Sequence, residues 1–398
     1  MNLKSTALFL FLISLVPGDN FYLDLGLTQS LFLLPLLLTY IKGGKYLPSN
    51  IILRNAGIVF VVAITSSLIF SQFRGLIEWY RSIGGLILVF MIVALCSGNE
   101  INKKQIKWFA YAGSIPILAF YLGLWGVGDY EMRLTFLKHD PNHLGHLIVY
   151  STIAILAFIH ELRKIKKVWV WLITGVIFLP LAYTFSRTSL IGYFIVIILY
   201  LNILLGNRLV GNIVLFIFIF LIGLTTPLAT KSVIVSGFTE RFLESNEKRT
   251  QFNQSGLEVV VENFFTGVGV FKFQDPDWRL KNGFYRLSVD GRGELNEVPT
   301  ATHNGFLDVF LIGGVFLFVA FIIILTYPIY FLLSKEKILE PSNELKWRKF
   351  LVFSFTSLFI LFNLTYSLYY SKLGWWGIAF SYVLIEPYYS TTRNRVYR

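Results

Sequence analysis

The chain has 398 residues, of which 55% are hydrophobic and only 15% charged, with a mean hydropathy of +0.63. That leaves too little polar surface for a soluble globule of this length, so the chain reads as a polytopic membrane protein. Its net charge of +12 excludes little about lipid but argues against a nucleic-acid partner, because most cations sit in short loops beside apolar runs, where anionic lipid and orientation account for them; the single cysteine, Cys96, rules out a disulfide framework and a cysteine-based metal site.

Taken in chain order, apolar runs that can cross a hydrocarbon core of about 30 Å cover residues 5–17, 22–41, 52–70, 83–97, 108–125, 143–160, 168–185, 189–205, 211–230, 304–333, 350–366 and 374–389. They predict an all-α polytopic membrane protein of about 12 transmembrane helices with one long extracytoplasmic loop containing short helices. Residues 1–230 hold the first nine spans, 231–303 the loop and 304–398 the last three. Lys4 precedes the first run as in a secretory signal, but no A-x-A-like site follows before Pro17-Gly18-Asp19, so the run reads as a retained anchor.

Orientation follows from where the cations collect. With the N-terminus inside, the inner side holds twenty lysines and arginines and the short loops opposite hold six: Arg74, Arg81, Arg133, Lys138, Arg187 and Lys372. Long loops do not vote under the positive-inside rule, so both termini are expected in the cytoplasm and residues 231–303 outside it. Every polar cluster with chemical potential then lies on the outer side. A site there has no nucleotide sugar to draw on, so any bond made must be activated on a carrier that arrives in the membrane.

Between residues 72 and 82 the chain reads as an interfacial helix, with Arg74, Glu78 and Arg81 on one face at spacings of four and three. A salt-bridge row explains at least one of these arginines, and the other would add charge to a phosphate site. In His139-Asp140-Pro141-Asn142-His143-Leu144-Gly145-His146, Asp140 is an N-cap and Pro141 the first helical residue. His143 and His146 then share a face, Asn142 is placed to bond sugar hydroxyls, and the helix N-terminus favours an anion. Three histidines and an aspartate invite a zinc reading, but the cap already accounts for part of the cluster, and no metal or cofactor is expected.

Arg187 stands in a turn of almost no length, Thr184-Phe185-Ser186-Arg187-Thr188-Ser189. Two readings fit it equally: a bidentate clamp on phosphate oxygens, or an arginine reaching to outer head groups. In the loop, Arg249 precedes an amphipathic stretch from Ser255 to Phe264, with Leu257, Val260, Val261 and Phe264 at helical spacing. Gly267-Val268-Gly269 follows, a turn that lets backbone approach a ligand closely. Residues 275–297 are polar, with three arginines, two asparagines, Trp278 and Tyr285, the composition of a carbohydrate-facing surface and equally of any solvated loop. His303-Asn304 opens the tenth span, where an imidazole neutral near pH 7 can take a proton from a hydroxyl.

The ordered set of Asp140-Pro141-Asn142, Phe185-Ser186-Arg187-Thr188, Arg249, Glu262 to Gly269 and Thr302 to Leu307 resembles the O-antigen polymerase and O-antigen ligase superfamily (Wzy and WaaL type, GT-C-like membrane glycosyltransferases) over roughly residues 130–330. The resemblance implies an inverting, metal-independent transferase of a bacterial inner membrane that takes a glycan from undecaprenyl pyrophosphate and needs no cofactor. It implies Arg187 and Arg249 on the pyrophosphate and His303 beside the acceptor; from their positions in the chain, Arg74, Arg81, Asp140, Asn142, His143 and Asn304 are expected to bind substrate. The partners implied are the lipid-linked oligosaccharide, an acceptor glycan, the bilayer and, for a polymerase, a chain-length regulator. The amphipathic stretch lacks an obvious Trp, and residues 1–100 match no pattern of the superfamily. Polymerisation of repeat units is the leading expectation and ligation of glycan to lipid A core the second. A lipid-linked oligosaccharide flippase would put ionisable groups at mid-span and matched halves in the chain, and neither is evident. A scaffold without chemistry is the remaining alternative.

Overall fold

The computed structural model describes residues 3–15, 34, 37–42, 48–70, 76–96, 99–127, 134–135, 140–162, 167–184, 186–206, 249–289, 295–300, 302–335, 342–365 and 371–396. Most of the expected span 22–41 and all of 211–230 lie outside them, as do Arg74 and His139; of Arg81, only the backbone is described.

The described chain is mostly helical. In order it forms α1 (Leu3–Ser14), α2 (Ile51–Phe70), α3 (Leu76–Leu95), α4 (Asn99–Tyr121), the hairpin β1 (Gly126–Val127) and β2 (Leu134–Thr135), α5 (Pro141–Glu161), α6 (Lys167–Tyr183) and α7 (Arg187–Leu199). A π-helical turn, Tyr200–Leu204, extends α7. Then come α8 (249–262), the short α9 (Val270–Gln274) and α10 (Pro276–Lys281), the hairpin β3 (Tyr285–Val289) and β4 (Leu295–Pro299), α11 (Gly305–Ser334), α12 (Asn343–Thr365) and α13 (Lys372–Val396). Among the described residues, Pro141–Glu161, Arg187–Leu204, Gly305–Ser334 and Asn343–Thr365 are long and apolar enough to cross a membrane, and Ile51–Ser67, Ile83–Leu95 and Trp169–Tyr183 are shorter apolar helices. This is a membrane protein.

Three features depart from expectation. The stretch 76–82 is not a helix of its own: α3 runs unbroken from Leu76 to Leu95, so Glu78 and Arg81 belong to its first two turns. The two antiparallel hairpins interrupt an architecture expected to be all-α; β3 and β4 pair Tyr285 with Pro299 through Val289 with Leu295, closing the polar part of the loop on itself. The tenth span is not one straight helix. Gly314 sits at φ 67°, ψ −164°, and breaks α11 into two segments.

Packing follows from which faces are apolar. α13 lies between α3 and α12, α12 also meets α5, α7 and α11, and α2 runs along α11. The centre is aromatic: Trp375 and Trp376 of α13, Phe350 and Phe355 of α12, and Tyr150 of α5 are all fully buried. Buried rings of this size each remove large apolar area and interlock edge to face, as Phe355 does with Trp376 at 5.2 Å between centroids. At the end where α12 begins, Arg348 is only 2% exposed. It donates to Glu344 at 2.9 Å and to the Leu384 carbonyl at 2.7 Å, so its buried charge is compensated.

Candidate functional site at the head of α5, α7 and α11

The segments that carry the candidate residues meet at one end of the bundle, where α5, α7 and α11 begin and α12 stops. Local sequence sets each terminus. Asp140 caps α5, accepting from the backbone N–H of Asn142 at 2.8 Å and of His143 at 3.4 Å, with Pro141 at the first helical position. The same Asp-Pro device starts α10, where Asp275 accepts from Asp277 and Trp278 ahead of Pro276. Asn304 caps α11, its side-chain oxygen accepting from Phe306 N–H at 3.1 Å and Leu307 N–H at 3.3 Å.

Ser186 precedes α7 but does not cap it. Its hydroxyl pairs instead with Ser189 at 2.8 Å, both residues being buried. Gly145 of α5 closes over this pair: a Cβ there would stand 2.5 Å from the Ser189 hydroxyl, so the two helices cross where the glycine leaves room. Arg187, half-buried, is the first residue of α7, beside this crossing. Asn142 and His143 are half-buried on the first turn of α5. His146 is 3% exposed and its ring stacks on Phe362 of α12, with centroids 3.8 Å apart. The His143 and His146 rings lie 6.2 Å apart. Next along α12, Asn363 lies against Gly305, the first residue of α11. Through α5 and α12, then, Arg187 and His303 occupy the same end of the bundle.

α8 completes the cluster. Phe252 and Asn253 stand three and four residues after Arg249 and four and three before Gly256, so the four share a face. Phe252 sets its ring 6.2 Å from that of His303. Asn304 donates from its amide to the Asn253 side-chain oxygen at 3.4 Å, and Gly256 seats Leu307. Arg249, half-buried, lies one turn before these contacts.

His303 itself has φ 57°, the one non-glycine residue in the left-handed region among the described residues. The staple around it explains why. Thr302 is buried; its hydroxyl donates to the Asp308 carboxylate and accepts from Asn304 N–H at 3.0 Å, which turns the backbone tightly at 303. The imidazole Nε2 lies 3.3 Å from the Thr300 hydroxyl. Such a conformation costs about 1–2 kcal/mol for a residue with a Cβ and is held here by buried polar contacts on both sides.

The glycine turn 267–269 brings its backbone close to another backbone. It docks on the broken α11: Val268 N–H donates to Leu311 O at 2.6 Å, Gly269 N–H to Ile312 O at 3.1 Å, and Val315 N–H to Phe264 O at 2.9 Å. The break frees those carbonyls from helical bonding, and the turn supplies the missing donors. Ser67 of α2 seals the junction, donating to Ile312 O at 2.9 Å and accepting from Val270 N–H at 3.1 Å. Sequence reasoning missed Asn253, Ser67 and Asn363, and gave Thr302 only as the first residue of a motif. Asn363 alone announced itself, as an amide inside an apolar span.

Residues 170–322, from α6 into α11, match the model of a family described as O-antigen ligase. No curated protein matches the chain. The matched stretch holds Arg187, Arg249 and His303, and the match supports the O-antigen polymerase and ligase superfamily.

Proposed function

We propose that this chain is a glycosyltransferase of the bacterial inner membrane that takes glycan from undecaprenyl pyrophosphate and joins repeat units into a polysaccharide. One observation carries the reading: α8 lays the face bearing Arg249 along the head of α11 through the Phe252–His303 and Asn253–Asn304 contacts, at the same end as Arg187. Two guanidiniums and an imidazole on separate elements suit a reaction whose leaving group is a diphosphate. His303 accepts the proton of an acceptor hydroxyl, and that oxygen bonds to the anomeric carbon. On the opposite face the bond from that carbon to the pyrophosphate oxygen breaks, with inversion. The electron pair leaves on undecaprenyl pyrophosphate, whose growing charge Arg187 and Arg249 neutralise bidentately. Asn142, His143 and Asn304 line the sugar path and Arg74 and Arg81 supplement the positive field, while Asp140 acts through its cap. Both termini lie in the cytoplasm and the site faces the periplasm.

The match to a family described as O-antigen ligase favours a second reading, ligation of finished glycan to lipid A core. Deletion of the gene separates the two, since single-repeat chains mean polymerase and unligated long chains mean ligase. The direct test is purified protein in vesicles with an undecaprenyl-pyrophosphate-linked repeat unit. Polymer should form, and should form equally in chelator. Failure to transfer glycan to any acceptor overturns the proposal.

A further inference from the structure

The apolar side of α8 leads away from the candidate site to a groove. Leu257, Val261 and Phe265 recur every four residues, and at 59%, 78% and 66% exposure they form an uncovered stripe. The stripe ends where Phe265 enters a cavity of about 340 Å³ between α2 and the broken helix. Its walls are almost wholly apolar: Ile58, Val59 and Val62 descend one side and Phe316 closes the other, with Gly313 at the break. The groove is preformed, because the hydrogen bonds of Val268, Gly269 and Ser67 to Leu311 and Ile312 fix the three elements that make it.

We infer that this groove between α2 and the α11 break seats the polyprenyl chain of the donor, threaded along α8 from a pyrophosphate held at Arg249. The inference rests on the donor proposed above. An ordinary bilayer acyl chain explains an apolar lining but not the alignment: Arg249 stands at one end of α8 and Phe265 just past the other. A head group bound by the arginine therefore delivers its tail along the exposed stripe. α8 is about 20 Å long, so only a donor of many isoprene units reaches the groove.

Binding tests this apart from catalysis. A polyprenyl pyrophosphate with a diazirine in its distal chain should label residues between Ile58 and Ser66 or Phe316. Val62→Trp or Val59→Trp, each filling the groove from a lipid-exposed position, should abolish that label. Excess polyprenyl phosphate should compete and excess phosphatidylglycerol should not. Label elsewhere, label indifferent to both tryptophans, or equal competition by phosphatidylglycerol overturns the inference. In the transfer assay the tryptophan variants should raise KM about tenfold for the long-chain donor and leave a two-isoprene donor unchanged, which also shows that they fold; equal loss with both donors overturns it. Wild-type protein that labels in the groove but transfers from neither donor refutes the transferase reading and leaves the groove assignment standing.

Discussion

Gly314 of α11 has no side chain where the Phe265 carbonyl lies; a Cβ built there would collide with that oxygen and with Thr266 N–H. Backbone therefore meets backbone at the helix break, and the position also needs φ 67°, which a Cβ disfavours. Gly314→Ala should cost at least about 2 kcal/mol and release the turn that anchors α8. Limited proteolysis in detergent measures this: cleavage between residues 249 and 270 should rise well before global unfolding, and a protease pattern like wild type would contradict the anchoring role.

Arg187 is proposed to grip a diphosphate as a planar fork. Lys keeps the charge but not the fork, so Arg187→Lys should lower transfer nearly as far as Arg187→Ala, by about a hundredfold or more. Initial rates with lipid-linked donor decide the matter. Full activity in the lysine variant would mean that geometry at this position is irrelevant.

His303 separates a chemical role from a backbone one. His303→Ala and His303→Gly should both abolish polymer while the protein remains in the membrane. Only glycine relieves the left-handed strain, so the glycine variant should be about 1 kcal/mol more stable than the alanine variant. Thermal unfolding in detergent compares the two, and chain lengths on a gel report function. Normal polymer from either variant would remove His303 from the mechanism.

Asn304 serves two partners that mutation can part. Asn304→Ser keeps a capping oxygen for α11 but is too short to reach Asn253, whereas Asn304→Ala loses both. Stability should fall by about 1 kcal/mol for alanine and by a few tenths for serine. Transfer should fall several-fold in each, because Arg249 loses its tether to His303. Serine activity equal to wild type would show that Phe252 and Gly256 position α8 without the amide.

How much of the candidate site was legible differs between its parts. Capping is local chemistry, so Asp140-Pro141 marked the start of α5, and the apolar run from 304 placed that of α11 to within a residue of the observed helix. Arg187 at a helix start was readable for the same reason; Arg249, expected ahead of an amphipathic helix that begins at Ser255, instead lies in α8, which is helical from 249. The role of Gly267-Val268-Gly269 was not. Glycines announce close approach without naming what approaches, and here the partner is a helix more than forty residues away in sequence.

By itself the sequence determined that this chain enters a membrane and, where a long apolar run or a cap marks it, that a described stretch is helical, because hydrophobic run length and capping act within a few residues. Tertiary structure alone decided that α11 breaks and is mended by a distant turn, that His303 is forced left-handed by Thr302 and Asp308, and that His146 is packed against Phe362 rather than offered to solvent. Those outcomes depend on hydrogen-bond partners and packing surfaces brought together across the whole chain, and no local pattern encodes which carbonyl will find which N–H.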